Sequence, residues 1–378
     1  MILADFTSFK AQKTHRSILI SLKQPHLVLS SSSENGGLHS DLKYVINNQC
    51  CEGSALHPVA KDLHLLSRQE LHQKVCAEVQ TDPKLSAVIT TAANMDYAAI
   101  NTQTYDDTTV TAIATAGVEG NAGCAGDPAQ WHESPDGIVP ADKSFSGTIN
   151  IILILHQSLS PSALVRSTIS ATEAKSAALQ ELAVPSKYSS SLSTGTGTDQ
   201  IAAICPLADS PRFHWCGHHS KLGELIGLAV KSAVKEALRW QNGLEASRTR
   251  HLSYALGRFG LTRKYLVEQL KLGQNAPQTD FLLDSLQMLE NDPRVSAQAY
   301  AIAAVLDRKQ YGILPKASVQ QNLVAQCALL ATELGGKAQN YSTIHPVLHQ
   351  EFLQDTQQFD IRKLVVRAIE LGWEYKWK

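Results

Sequence analysis

The sequence predicts a layered α/β domain, a mixed sheet with packed helices, followed by an all-α C-terminal domain. Three observations carry this. Short β-branched or aliphatic runs bounded by Gly, Pro or Asp alternate with helical stretches up to about Asn242. Beyond it no convincing strand appears, and helical segments follow one another. At 378 residues the chain is long enough for two domains, each able to bury its own core. We place the boundary at Asn242-Gly243, giving domains 1–242 and 243–378. Strand order does not follow from such runs, so the topology is left open.

The elements justify this in order. Ser17 to Leu22 and His26 to Ser30 are apolar runs separated by Gln24-Pro25, two strands joined by a turn. Leu85 to Thr91, Thr108 to Thr115, Ser146 to His156 and Gln200 to Ile204 complete a set of about six strands. Ser67 to Val79 is helical, and Ser160-Pro161 opens a second helix to Ala183 with a capping serine and proline at the first helical position. Its Ala, Ser and Thr content suits close packing on a sheet. From Ser220, the apolar residues Leu222, Leu225, Ile226, Ala229, Ala233 and Ala237 recur at helical spacing. After the boundary, Leu261 to Leu272, Phe281 to Glu290, Val295 to Leu306, Ser318 to Leu334 and Ile361 to Leu371 are helices.

Composition narrows the function. Lys plus Arg number 34 and Asp plus Glu 35, a formal net charge of -1 that gives no field favouring nucleic acid or an anionic membrane. The cluster Arg248, Arg250, Arg258, Arg263 and Lys264 reads as a solvated helix face, with an acidic partner or nucleic acid as the sharper alternative. Seven cysteines lack framework spacing, and neighbours Cys50 and Cys51 would form a strained bridge, so thiols and a cytoplasmic location are expected. No signal-like segment and no long apolar run is found, so neither export nor membrane spanning is expected.

Four motifs carry chemistry. Thr115 to Pro128 follows a strand and sets four glycines beside Asn121 and Asp127; such a loop brings bare backbone to a ligand or satisfies turn geometry alone. It lacks the spacing of a dinucleotide fingerprint. Next, Thr148 and Asn150 share one face of the most apolar strand, where they bond to backbone or to a substrate. Thr194-Gly195-Thr196-Gly197-Thr198-Asp199 joins three hydroxyls, two glycines and a carboxylate, the most site-like loop of the sequence, suited to an anion nest or an activated hydroxyl, with a polar turn as the lesser alternative. Finally, Gly217-His218-His219-Ser220 opens a helix with two proton-exchanging groups. His219 and Glu224 are not at metal-helix spacing, so no metal is expected. Cys124 and Cys216 are minor thiol-nucleophile candidates against the role of buried filler. Glu173 and Lys175, two apart, fall on different faces of the small-residue helix and read as scaffold.

In this order the segments T-A-G-V-E-G-N-A-x-x-A-G-D-P, G-T-I-N-I, T-E-A-K-S-A-A-L-Q-E-L, S-T-G-T-G-T-D-Q and G-H-H-S-K-L-G-E-L-I-G resemble the adenosylcobinamide amidohydrolase family, from about Arg16 to Leu238. The resemblance implies hydrolysis of the amide joining aminopropanol to the corrin ring, giving adenosylcobyric acid and 1-amino-2-propanol for corrinoid salvage. Adenosylcobinamide is then the small-molecule substrate, and no resident cofactor is required. It implies one pocket, within which we assign His218 or His219 as acid or base, Asp199 to orient or accept a proton, and Thr196 to complete the catalytic set. The Thr194 to Thr198 loop would stabilise the oxyanion, with Asn121, Asp127, Thr148, Asn150, Thr194, Gly195 and Thr198 at the substrate. A non-catalytic corrinoid-binding or salvage-regulating protein, and an autoprocessing hydrolase using Thr194 or Thr196, stay open beside it. The helical domain, outside the resemblance, could serve homo-oligomerisation or partner contact.

Overall fold

The computed structural model describes residues 1–51, 66–129, 132–134, 137–139, 147–272, 276–353 and 359–378. They divide into two compact units, Met1–Leu244 and Glu245–Lys378. The first mixes strands and helices and the second is helical, the fold class the sequence predicts.

In chain order the first unit contains β1 (Ile2–Asp5), β2 (Phe9–Lys13), β3 (Ser17–Leu22), β4 (His26–Ser30), β5 (Gly37–His39), β6 (Tyr44–Gln49), β7 (Ser86–Thr91), β8 (Ala99–Tyr105) and β9 (Thr108–Ala116). It continues with β10 (Ala122–Gly123), β11 (His132–Ser134), β12 (Gly137–Val139), β13 (Ile149–Leu155), β14 (Gly195–Thr196) and β15 (Gln200–Pro206). Its helices are α1 (Arg68–Glu78), α2 (Pro161–Glu181) and α3 (Lys221–Asn242). Two mixed sheets result, one ordered β1-β2-β3-β6-β7 and the other β5-β4-β15-β13-β9-β8. In the larger, β13 runs parallel to β15 and antiparallel to β9. The turn at Gln24-Pro25 does not make a hairpin: β3 and β4 lie in different sheets. The strand expected from Ser146 begins at Ile149, and Ser146 lies outside the described residues.

Period-two alternation decides the layers. Phe9, Ile18, Ile20, Val45 and Ile89 from the smaller sheet share one core with Val28, Ile113, Ile152, Ile154 and Ile204 from the larger, so the sheets pack face to face. The alternate residues Ile46 and Val88 turn outward, onto Val75 and Cys76 of α1. Helices α2 and α3 pack together and cover the far face of the larger sheet. Ser67 caps α1 in a capping box with Glu70, Ser160 caps α2 ahead of Pro161, and Ser220 caps α3. Gly243, in the left-handed conformation at φ 61°, ends α3.

Strands β6 and β8 escaped the sequence reading because their runs, Tyr-Val-Ile-Asn-Asn-Gln and Ala-Ile-Asn-Thr-Gln-Thr-Tyr, are polar. Asn47 of β6 is nevertheless buried between the sheets. Its amide donates to Thr115 Oγ1 at 2.9 Å, and its Oδ1 accepts from Asn150 Nδ2 at 2.8 Å. Paired amides and hydroxyls remove the penalty that otherwise keeps asparagine out of a core.

In the second unit the long helices are Arg263–Lys271, Ala276–Glu290, Pro293–Gln310, Lys316–Gly335, Tyr341–Leu353 and Ile361–Lys376, around a core that includes Leu266, Ile302, Leu323, Leu330, Leu364 and Ile369. At Gly372 a Cβ would lie 2.6 Å from Ala331 O, so a glycine lets the last helix meet Lys316–Gly335 closely. The basic cluster is largely engaged inside this unit. Arg258 makes a bidentate pair with Asp307 at 2.6 and 2.8 Å, Arg263 pairs with buried Glu290, and Lys264 lies 3.9 Å from Glu268. No helix among the described residues is long and apolar enough to cross a membrane.

Candidate active site

The glycine-rich loop after β9 and the threonine loop before β15 meet where β13 begins. The contact is a two-residue ladder, Ala122 opposite Thr196 and Gly123 opposite Gly195. Thr194 strengthens it by accepting from Ala125 N at 2.9 Å. Asp127 closes the first loop on itself, accepting from Cys124 N at 2.7 Å and Ser186 Oγ at 2.6 Å. Burial alone would raise the Asp127 pKa, but these donors and Ser189 bring it below the ordinary value.

Asp199 is the hub of the second loop. Its Oδ1 accepts from Ile149 N at 2.9 Å and Thr196 Oγ1 at 2.6 Å. Its Oδ2 accepts from Thr196 N at 3.0 Å and from the ammonium of Lys175. Four donors on one carboxylate tie the loop, the head of β13 and α2 together. Beyond it lies a row of hydroxyls and amides. Thr198 Oγ1 lies 2.5 Å from Thr148 Oγ1 and 3.4 Å from Thr196 Oγ1, and donates to Gly147 O at 2.8 Å. Asn121 donates to Gly147 O at 3.2 Å and to Thr198 Oγ1 at 3.4 Å, while its Oδ1 accepts from Tyr188 Oη at 2.8 Å. Thr198 is exposed and Thr196 half-buried, so the row reaches solvent.

Glycine is required twice. A Cβ on Gly195 would fall on Asp199 Oδ2 and 2.7 Å from Lys175 Nζ. One on Gly147, at φ +146°, would come within 2.9 Å of Gly117 O.

The structure thus brings Asn121, Thr148, Thr194, Gly195, Thr196, Thr198 and Asp199 into one bonded assembly, with Asp127 bracing its first loop. Asn150 is placed differently. It lies in β13, two residues past Thr148, and its side chain is fully buried, donating to Asn47 and to Thr90 O at 3.0 Å. Its Oδ1 has no hydrogen-bond partner among the described residues. The side chain belongs to the layer between the sheets because β6 crosses there.

The histidines do not join the hydroxyl row by any hydrogen bond found among the described residues. His218 Nε2 lies 2.6 Å from Glu173 Oε2, both groups about half exposed, and His219 is exposed at the start of α3. Ser170 Oγ, donating to Cys216 O at 3.0 Å, fastens the histidine segment along α2. Cys216 is fully buried with its thiol pushed up to about 11 by burial, which leaves it protonated and unsuited to nucleophilic attack. The Cys124 thiol is raised as well, by burial and by Asp127.

Glu173 and Lys175 each pair with a group beyond their own helix. They do lie on different sides of α2, about 200° apart by helical geometry, and each side meets a different candidate group: Glu173 meets His218 and Lys175 meets Asp199. The signal available in the sequence was a lysine in register with Leu164, Ala171, Ala178 and Leu179 on the apolar face of the helix, where a charge needs a partner. Tyr188 and Ser186 were overlooked because their neighbourhood reads as a serine-rich loop. Among the described residues no three His, Cys, Asp or Glu side chains converge as a metal cluster.

Comparison with known proteins covers the first unit. Residues 3–246 match the family described as adenosylcobinamide amidohydrolase. An uncharacterized protein of Methanocaldococcus jannaschii is 32% identical over 240 residues, which span 61% of this chain and 88% of that protein.

Proposed function

The chain belongs to the adenosylcobinamide amidohydrolase family, and from that premise we propose that it hydrolyses the amide joining aminopropanol to the corrin ring of adenosylcobinamide, releasing adenosylcobyric acid and 1-amino-2-propanol in corrinoid salvage. The observation that carries the reading is the solvent-reaching row of Asn121, Thr148, Thr196 and Thr198 fixed on Asp199. A ligand ringed with side-chain amides offers both donors and acceptors, and a row of hydroxyls can answer either.

An amide needs an activated oxygen, a stabilised oxyanion and a protonated leaving amine. Asp199, with four donors on its oxygens, orients the loop rather than taking a proton. Thr196 presents the hydroxyl nearest to it, and the Thr194–Thr198 loop stabilises the developing oxyanion. His218, oriented through Nε2 by Glu173, keeps Nδ1 for proton exchange, and exposed His219 stands beside it.

The test is release of 1-amino-2-propanol from adenosylcobinamide, run with and without a chelator. Replacing His218 and His219 together by alanine in a folded protein is expected to lower kcat by about 100-fold or more; near-normal turnover would remove the acid-base role. A corrinoid-binding protein without catalysis is the second reading, since the same hydroxyl row would bind the ligand. It predicts tight binding with no amine released.

A further inference from the structure

Among the buried residues of α2 Lys175 alone is charged, and it stands where the rest of the face is Ala, Ser and Leu. Its side chain is 10% exposed and that of its partner Asp199 15%. A buried ion pair contributes little net stability, because desolvating two charges offsets most of their attraction, and an apolar residue of similar length is often as good or better. Packing therefore does not account for this lysine. What an ammonium adds is a charge held at one point.

That point is where the threonine loop is fastened. The backbone at Gly195 lies so close to the ion pair that a Cβ would strike both partners. The other donors to Asp199 among the described residues come from the site itself: Ile149 N from the head of β13, and Thr196 N and Oγ1 from the loop. Thr196 in turn touches Thr198, and Thr198 touches Thr148 and Asn121. Without the ammonium, a buried carboxylate would keep only uncharged donors and would draw water or neighbouring groups toward itself, moving the hydroxyls it holds.

We propose that Lys175 is a positioning residue of the site, acting through Asp199 to fix the Thr196 and Thr198 hydroxyls against the head of β13. The inference rests on the hydrolytic reading of that site. It gives the T-E-A-K turn a function, and it makes the charge of Lys175, not its bulk, the required property.

The experiment uses the full chain. Lys175→Met keeps the length and removes the charge; kcat for aminopropanol release is expected to fall about 100-fold while KM stays within about threefold. In Lys175→Ala, n-propylammonium restores the missing atoms and charge and is expected to recover about a tenth or more of wild-type kcat, whereas isosteric n-propanol is not. Amide exchange is the readout independent of turnover: the Thr196 and Ile149 N–H groups, both donors to Asp199, are expected to exchange at least about tenfold faster in Lys175→Met. If Lys175→Met does not fold, the uncharged double variant Lys175→Met/Asp199→Asn takes its place, and it is expected to be folded and equally slow. The proposal is overturned by a single or double variant within about threefold of wild-type kcat, by rescue with propanol as large as with propylammonium, or by unchanged exchange at Thr196 and Ile149. A wild-type chain that releases no amine would refute the hydrolase reading alone, and the exchange measurement would still judge Lys175.

Discussion

At the residue scale, the site shows how context separates chemically similar groups. Three threonines of one loop do different work: Thr194 joins two loops, Thr196 donates to the hub carboxylate, and Thr198 is the exposed end of a row whose other members, Thr148 and Asn121, are buried. Cysteines separate likewise. Burial pushes the Cys205 and Cys216 thiols up to about 11, whereas the Cys51 thiol is lowered to about 7, chiefly because Cys50 donates an S–H to it, with Arg16 nearby adding positive charge. The two sulfurs lie 4.0 Å apart and are not bonded to each other as a disulfide. The thiolate is the reactive form, so alkylation of Cys51 by iodoacetamide is expected to rise with pH through about 7 and level off above it, well ahead of Cys205 and Cys216. Peptide mass spectrometry across pH 5 to 9 (about two units either side of that value) checks this, and Cys50→Ala should move the midpoint upward by removing the donor. The hydroxyls, Asp199 and the histidines were legible as candidates because polar residues crowded between glycines and strands are unusual. Lys175 and Glu173 were not, since a charge on a helix is ordinarily solvated and only the packing of α2 shows which side is closed.

At the element scale, the short ladder of β10 with β14 is what turns two loops into one site. Two residue pairs are too few to be stable alone, so the ladder depends on the cross-links from Thr194 and Asp199. Gly195 is its most sensitive position. Gly195→Ala is expected to cost about 1–3 kcal/mol by overpacking, and to lower kcat as strongly as Lys175→Met because it separates the same ion pair. Thermal unfolding and the amine-release assay check the two effects, and a fully active, equally stable Gly195→Ala protein would show that the loop yields there. The regular elements were legible wherever their pattern was apolar: β13, β15, α2 and α3 lie where periodicity puts them. The helix Tyr341–Leu353 was missed because Pro346 stands inside it, a residue that ordinarily ends a helix. Strand β6 was missed because its interior face is built from asparagine, satisfied by groups on β9 and β13 that no local pattern announces.

At the scale of the whole molecule, the two units each have their own hydrophobic core, and the family match of residues 3–246 ends within two residues of the close of the first. A fragment of residues 1–246 is therefore expected to unfold cooperatively and to release aminopropanol at a rate within about threefold of the full chain. Calorimetry and the same assay test it. A folded but inactive fragment would place a catalytic requirement in the helical unit. For that unit we propose homo-oligomerisation as the first role to examine, by light scattering of the full chain against the fragment.

The sequence by itself determined the order of the strongly apolar elements, the change from mixed to helical character near Asn242 and the motif series that carries the family resemblance. Each depends on neighbours along the chain, which hydropathy period, capping residues and motif spacing record. The tertiary structure decided which strands share a sheet, that Asn150 lies closed between the sheets, and that Lys175 and Glu173 reach toward Asp199 and His218. Those outcomes depend on contacts between residues far apart in sequence, such as Asn47 with Asn150 and Lys175 with Asp199, and burial changes what a polar group must do only once the partner facing it is in place.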